Sequence, residues 1–212
     1  MQPICFNLFT KSAEVVFDFY RTDFQNKVVA DLYQSPQQVV FYDVKGSAYA
    51  NSFQAEFNLE IIKHLDLRTA YKFYDIATDY TNGKMQQPLQ AEHRFFANLG
   101  FQTHILGKGQ QWKFDLTYNW NGEQKLPFMG TNPIEYRLPE NSPSFSLVNA
   151  QITRTFSSTF EIYVGGENVG NYKQPTPIVG SDAPFGTYFD SSIVYAPIFG
   201  QMYYAGLRFK IK

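Results

Sequence analysis

From Ser47 to Ile61 the chain alternates. Tyr49, Phe53, Ala55, Phe57, Leu59 and Ile61 share one parity, and Ala48, Ala50, Ser52, Gln54, Glu56, Asn58 and Glu60 share the other. A period of two predicts a strand with one greasy and one wet face. Only Asn51 interrupts the apolar set, near one end. The same pattern returns at Leu65 to Tyr74, Glu92 to His104, Trp112 to Trp120, Phe145 to Thr155 and Phe160 to Glu167. It returns last at Gly200 to Lys212, where Tyr203, Ala205, Leu207, Phe209 and Ile211 oppose Tyr204, Gly206, Arg208, Lys210 and Lys212. Glu14 to Asp23 is a further strand, with Val15, Phe17 and Phe19 on one face, and Ile4 to Thr10 reads as the tail of another. The pattern predicts about eight full strands plus a partial first strand. It contains no helix candidate, internal repeat or domain linker.

The connections are unequal. Those near residues 11–13, 62–64, 105–111 and 156–159 are short. Between them lie an irregular stretch to Gly46, a polar loop with Asn82-Gly83 and Pro88, a proline-rich loop from Asn121 to Ser144, and the longest loop, Gly170 to Phe199. Short turns on one side and long loops on the other are the asymmetry of outer-membrane barrels. About ten tilted residues cross a bilayer, so these strands are long enough. Three cations on one face of the last strand suit a hydrated lumen better than a soluble core. The predicted fold is all-β: an antiparallel up-and-down transmembrane β-barrel segment.

Composition narrows the choice without deciding it. Of 212 residues, 44% are hydrophobic and 18% aromatic, with 15 Tyr and 21 Phe against 2 Trp. Such an aromatic excess suits strands and interfacial girdles, and Trp112 and Trp120 bracket one strand as belts would. No run approaches the ~18 apolar residues of a membrane helix, and the mean hydropathy is −0.32; a barrel hides its hydrophobicity in alternation. A net charge of −1 gives no reason to expect nucleic acid. Cys5 is the single cysteine, so no internal disulfide forms, and it stands too near Met1 for a lipid anchor. The first twenty residues carry no basic start followed by an apolar core, so no signal peptide is legible. With the half-strand at Ile4, that leads us to expect a piece of a longer protein.

Three segments resemble TonB-dependent outer-membrane receptors: Asp18 to Val29 (DFYRTDFQNKVV), Tyr163 to Ile178 (YVGGENVGNYKQPTPI) and Tyr204 to Ile211 (YAGLRFKI). The likeness is to the C-terminal part of that family's barrel and covers essentially the whole chain. Tyr204, Gly206, Phe209 and Ile211 match the places of its barrel-assembly signal; family members usually end on an aromatic, where this chain has Ile211 and Lys212. The resemblance implies that residues 1–212 are the C-terminal portion of a ~22-stranded barrel, with the plug domain and signal peptide absent. The whole receptor would sit in the cell outer membrane, bind a scarce extracellular solute (a metal chelate, vitamin or glycan), and import it with TonB-supplied energy. Its partners would be outer-membrane lipid, the remaining barrel and plug, and the TonB complex through the missing N-terminal part. The fragment alone would not transport.

No catalytic, cofactor-binding or metal residue is assigned. His64, His93 and His104 are scattered over a turn and two strand ends without ligand spacing. Glu56, Glu60, Arg68, Lys72 and Arg94 share the wet face of consecutive strands and read first as lumen ion pairs. Trp120, Asn121, Phe128, Tyr136 and Arg137 lie near one long loop of the kind that meets solutes. Gly165-Gly166 precedes no helix, so it reads as relief of crowding or a strand bend, not a phosphate cradle. An enzyme is not expected, since no Ser–His pairing stands out. The alternatives left open are a small complete outer-membrane barrel with a structural or adhesive role and a soluble lipocalin-like barrel, because alternation does not say which face is inside.

Overall fold

The computed structural model describes residues 4–8, 11–107 and 109–211. Among these, twelve strands follow one another: β1 (Ile4–Leu8), β2 (Lys11–Asp23), β3 (Val28–Ser35), β4 (Gln38–Asp43), β5 (Ala48–Ile62), β6 (Leu65–Tyr80), β7 (Gly83–Gln86), β8 (His93–Gln102), β9 (Gln111–Asn121), β10 (Phe145–Thr155), β11 (Phe160–Glu167) and β12 (Met202–Phe209). One sheet holds ten of them along the path β1-β2-β5-β6-β8-β9-β10-β11-β12, with β7 folded onto β6, and β3-β4 form a separate hairpin. Every pairing is antiparallel and between strands adjacent along the path. This is the up-and-down arrangement the alternation predicts.

The registers align the apolar parities into continuous rows. Leu59, Leu67, Leu99, Leu116 and Ala150 stand side by side across five strands. Phe101, Phe114, Ile152, Val164 and Ala205 form the next row. The opposite face carries rows such as Glu14, Asn58, Arg68, Asn98, Thr117 and Asn149. The apolar rows are not covered: Leu116 keeps 46% of its surface, Val164 53% and Phe209 64%. An exposed apolar patch of this extent marks an interaction surface rather than a soluble exterior.

Polar and amphipathic residues bound that face. At the long-loop end Arg21, Asn51 and Asp75 form one row, joined by Arg21 Nη1 to Asn51 Oδ1 at 3.3 Å and Asn51 Nδ2 to Asp75 Oδ2 at 3.0 Å. Asn51, the one polar residue in its strand's apolar set, belongs to this rim. At the short-turn end the Arg154 guanidinium lies 5.1 Å from the Trp112 ring centroid and 5.5 Å from that of Phe156. Trp112 and Trp120 are eight residues apart on β9, about 26 Å along the strand at roughly 3.3 Å per residue, close to the ~25 Å apolar band of outer-membrane barrels.

Several boundaries differ from the expected ones. Lys11 to Ala13 is strand, not turn; Phe9 and Thr10, with Lys108 of the next-but-one turn and the terminal Lys212, lie outside the described residues. The stretch expected to be irregular before Gly46 contains the β3-β4 hairpin. β6 runs on to Tyr80 and folds back through β7 where a loop is expected. The last strand stops at Phe209, although the Lys210 amide still bonds the Thr159 carbonyl at 2.8 Å.

The two clusters of buried apolar side chains lie in the long-loop layer. Leu126, Met129, Val179 and Ile193 form one cluster, packed by Leu89, Tyr136, Leu138 and Tyr195. Val29, Tyr33 and Tyr80 form a second, packed by Tyr42, Val44 and Met85. The hairpin and three loops thus make a folded cap on one end of the wall.

Candidate functional site

The cap is held by side chains that bond backbone. Asp31 is fully buried and accepts from the Tyr33 amide at 2.8 Å, the Gln34 side-chain amide at 2.8 Å and the Tyr42 hydroxyl at 2.7 Å. Burial raises its pKa, and the three hydrogen bonds outweigh burial, leaving the carboxyl below its ordinary value. Burial pushes the Tyr33 phenol upward. Ser142 Oγ accepts the Gln124 amide at 3.0 Å, and Gln124 Nε2 donates to the Tyr195 carbonyl at 3.0 Å, tying residues 122–144 to the last loop.

The GGENVGNYKQPTPI stretch has a structural role that its sequence did not disclose. Asn168 takes a left-handed φ of 50°; its Nδ2 donates to the Tyr172 carbonyl at 2.7 Å and its Oδ1 accepts the Tyr172 amide at 3.0 Å. Asn171, at φ 56°, accepts the Gln201 amide at 3.2 Å. Buried Gln174 accepts the Tyr195 and Ala196 amides at 3.0 and 3.2 Å, and donates to the Thr176 and Ile193 carbonyls at 3.1 and 2.7 Å. Asn168 Nδ2 also reaches the Phe199 carbonyl at 3.4 Å, so three side-chain amides pin the outgoing arm of the longest loop to its return. Gly165 makes room for aromatic rings: a Cβ there would lie 2.5 Å from Tyr204, whose hydroxyl donates to Gln151 Oε1 at 2.9 Å. Gly206 does the same for Tyr163, so the expected relief of crowding is a reciprocal glycine–tyrosine exchange across β11 and β12.

A hollow of about 260 Å³ opens between the β3-β4 turn and two loops, lined among others by Gln37, Phe128, Asn132, Tyr188, Asp190 and Ser192. Gln37 Nε2 donates to Asn132 Oδ1 at 2.5 Å, and the Phe128 amide bonds the Leu32 carbonyl at 3.1 Å. A neighbouring cleft of about 420 Å³ runs past Tyr33, Met85, Lys125 and Arg137. There Arg137 Nε donates to the Asn132 carbonyl at 2.5 Å and Lys125 pairs with Glu140, whose pKa this hydrogen bond lowers. Tyr136 stacks on Tyr188 with centroids 5.1 Å apart. Of the five loop residues read from sequence, Phe128, Tyr136 and Arg137 are brought together; Trp120 and Asn121 remain in β9, within the wall.

The histidines are less scattered than expected. His64 Nε2 and His104 Nδ1 lie 3.2 Å apart on the short-turn side. His93 stacks on Phe73 and lies 2.7 Å from the Tyr71 hydroxyl. Among the described residues no three His, Cys, Asp or Glu side chains converge as metal ligands. The ion pairs expected on the wet face do not form among its members. Glu56 bonds the Gln54 amide, and Glu60 bonds the His64 amide at 3.0 Å and faces Lys11 at 4.0 Å.

Comparison with known proteins gives the wall its context. No family model matches the sequence, and neither does any curated protein. Among solved structures the chain is similar to the ferric-catecholate import receptor Fiu of E. coli, at 11% identity and a TM-score of 0.60, over 97% of this chain and 26% of that one. It is also similar to the siderophore receptor PirA of Acinetobacter baumannii, at 14% identity and a TM-score of 0.60, over 98% of this chain and 30% of that one. The fold is that of a stretch of each of these two structures. The chain therefore spans less than a third of either receptor, and the likeness read from its sequence is borne out at the level of fold.

Proposed function

We propose that this chain is the C-terminal portion of the barrel of a TonB-dependent outer-membrane receptor. The carrying observation is the continuous exposed apolar face, bounded by the Arg21–Asn51–Asp75 rim and the Trp112–Arg154 belt, on a fold shared with an import receptor and a siderophore receptor. The apolar rows meet outer-membrane lipid, the opposite face meets the lumen, and the folded cap lies on the extracellular side. The rest of the barrel pairs with the free edges of β1 and β12. A plug and a TonB-contacting segment belong to the remainder of the receptor, which captures a scarce solute and imports it. Since the two neighbours are described as receptors for a ferric catecholate and a siderophore, an iron chelate is the first solute to assay. The path ending on β1 and β12 supports a piece of a larger barrel over a small complete barrel with an adhesive role.

Spin labels replacing Phe57 and Glu56 in the full-length receptor test the orientation. Lipid-soluble relaxants are expected to reach the first and water-soluble ones the second; the reverse would overturn the membrane assignment. Uptake of labelled iron chelate that persists without TonB would overturn the transport assignment.

A further inference from the structure

The apolar face of the wall carries almost no charge. On β8 to β12, among the positions that share the parity of Leu116, Arg154 is the single Asp, Glu, Lys or Arg. It stands directly opposite Trp112 on one side and Ile162 on the other. The acids of those two neighbouring strands, Asp115 and Glu161, have the opposite parity, facing Gln151 and Thr155 in register. Glu161 pairs with Arg208. Among the described residues, no carboxylate pairs with Arg154.

The long-loop end of the same face treats its arginine differently. Arg21 carries its own counter-charge: Nη2 bonds Asp23 Oδ1 at 2.7 Å and Nε bonds Asp23 Oδ2 at 3.0 Å. Asp75 stands in the same row. One apolar face is thus bounded by two arginines, of which one is neutralised by its neighbours and the other is not.

The surroundings of Arg154 leave it able to bind. Its guanidinium lies over the Trp112 ring, 5.1 Å from the centroid, and 5.5 Å from that of Phe156. A guanidinium stacked on aromatic rings uses its flat face, while its N–H donors lie along the edge. Among those donors, Nη2 reaches Gln110 Oε1 at 3.4 Å. Trp112 belongs to the belt, so the guanidinium stands at the height of the lipid headgroups. Paired phosphate oxygens match its fork. No acid on this face is present to hold the ammonium of a zwitterionic headgroup.

We propose that Arg154, flanked by Trp112 and Phe156, is a lipid site at the short-turn rim that takes the phosphate of an anionic phospholipid. The acyl chains lie along the adjoining exposed row of Phe114, Ile152 and Val164. The site rests on the membrane reading above.

The test uses the full-length receptor in vesicles, with a fluorophore on a single cysteine, either Ile162→Cys beside Arg154 or Leu116→Cys within the apolar rows. Phosphatidylglycerol or phosphatidylcholine with brominated acyl chains quenches the fluorophore where lipid touches it. At position 162 phosphatidylglycerol is expected to bind about fivefold more tightly than phosphatidylcholine, the factor that one cation near an anionic lipid surface is worth. Arg154→Gln should abolish that preference, and position 116 should show none. Equal binding of the two lipids at position 162, or a preference that survives Arg154→Gln, would overturn the site. The preference is read first in the barrel that keeps Arg154, so misfolding of the variant would not shelter the proposal. Quenching at neither position would overturn the membrane reading and the site with it, whereas quenching at both without selectivity would overturn the site alone.

Discussion

The wall and the cap are built from similar residues and organised oppositely. In the wall, Leu116 and Phe209 point away from the chain and keep 46% and 64% of their surface. In the cap, Leu126 and Ile193 keep 2% and 3%. The wall is held by continuous backbone ladders; its apolar rows await a medium. The cap has few ladders, so its backbone groups are satisfied by buried side chains such as Asp31, Asn168 and Gln174. Perturbing a side chain should therefore loosen the cap locally, whereas in the wall the consequence depends on which face the change meets.

Gln174→Ala should have the largest effect, because it strips partners from four backbone groups around a buried position, at about 1–3 kcal/mol per buried group left unsatisfied. Limited proteolysis should then cut within residues 175–199 while heat-modifiable migration persists. Unchanged protection would show that the loop is not held this way. Leu126→Ala, in the cap cluster, should cost about 2–5 kcal/mol; Leu116→Ala in the wall should cost far less, because no packed cavity is left behind. Denaturant unfolding from lipid vesicles compares the two, and equal losses would erase the distinction between the regions.

Leu116→Arg should cost about 2–4 kcal/mol near mid-membrane, while Thr117→Arg on the opposite face should be mild. Outer-membrane yield reads this pair, and a mild Leu116→Arg would mean that the apolar rows do not meet lipid. The smallest effect concerns pH. Asp31 has a lowered folded pKa, so its stabilisation of the hairpin is fully present above the unfolded value of about 3.9 and is lost as pH falls through the folded value. Hairpin amides should exchange faster only in that acid window. Asp31→Asn should flatten the dependence; an unchanged profile would assign it elsewhere.

Much of the wall was legible because alternation is a local property. Phe145 to Thr155 carries its own two faces, and the structure bounds that strand at the same residues. The β3-β4 hairpin was not legible for an equally local reason. Val28, Ala30 and Leu32 are apolar on one parity, while Val29 and Tyr33 share the other with Asp31. A carboxylate in the buried set breaks the period, and only its three hydrogen bonds make the burial tolerable. The closeness of His64 and His104 was hidden because turns distant in sequence meet only once β6 and β8 pair. The unpaired state of Arg68, Lys72 and Arg94 depended on register, since shared parity alone did not say that Glu56 would be engaged by Gln54.

By itself the sequence determined the succession of the long wall strands, their two faces and the inequality of the connections, because each follows from a repeat of two residues and from turn chemistry within a few positions. Tertiary structure alone decided that the long loops pack into a cap, that the amides of Asn168, Asn171 and Gln174 reach Phe199, Gln201 and Ile193 to close its longest loop, and that Lys72 stands opposite Arg94. Those facts join residues tens of positions apart, and no period along the chain encodes which distant groups a register brings together.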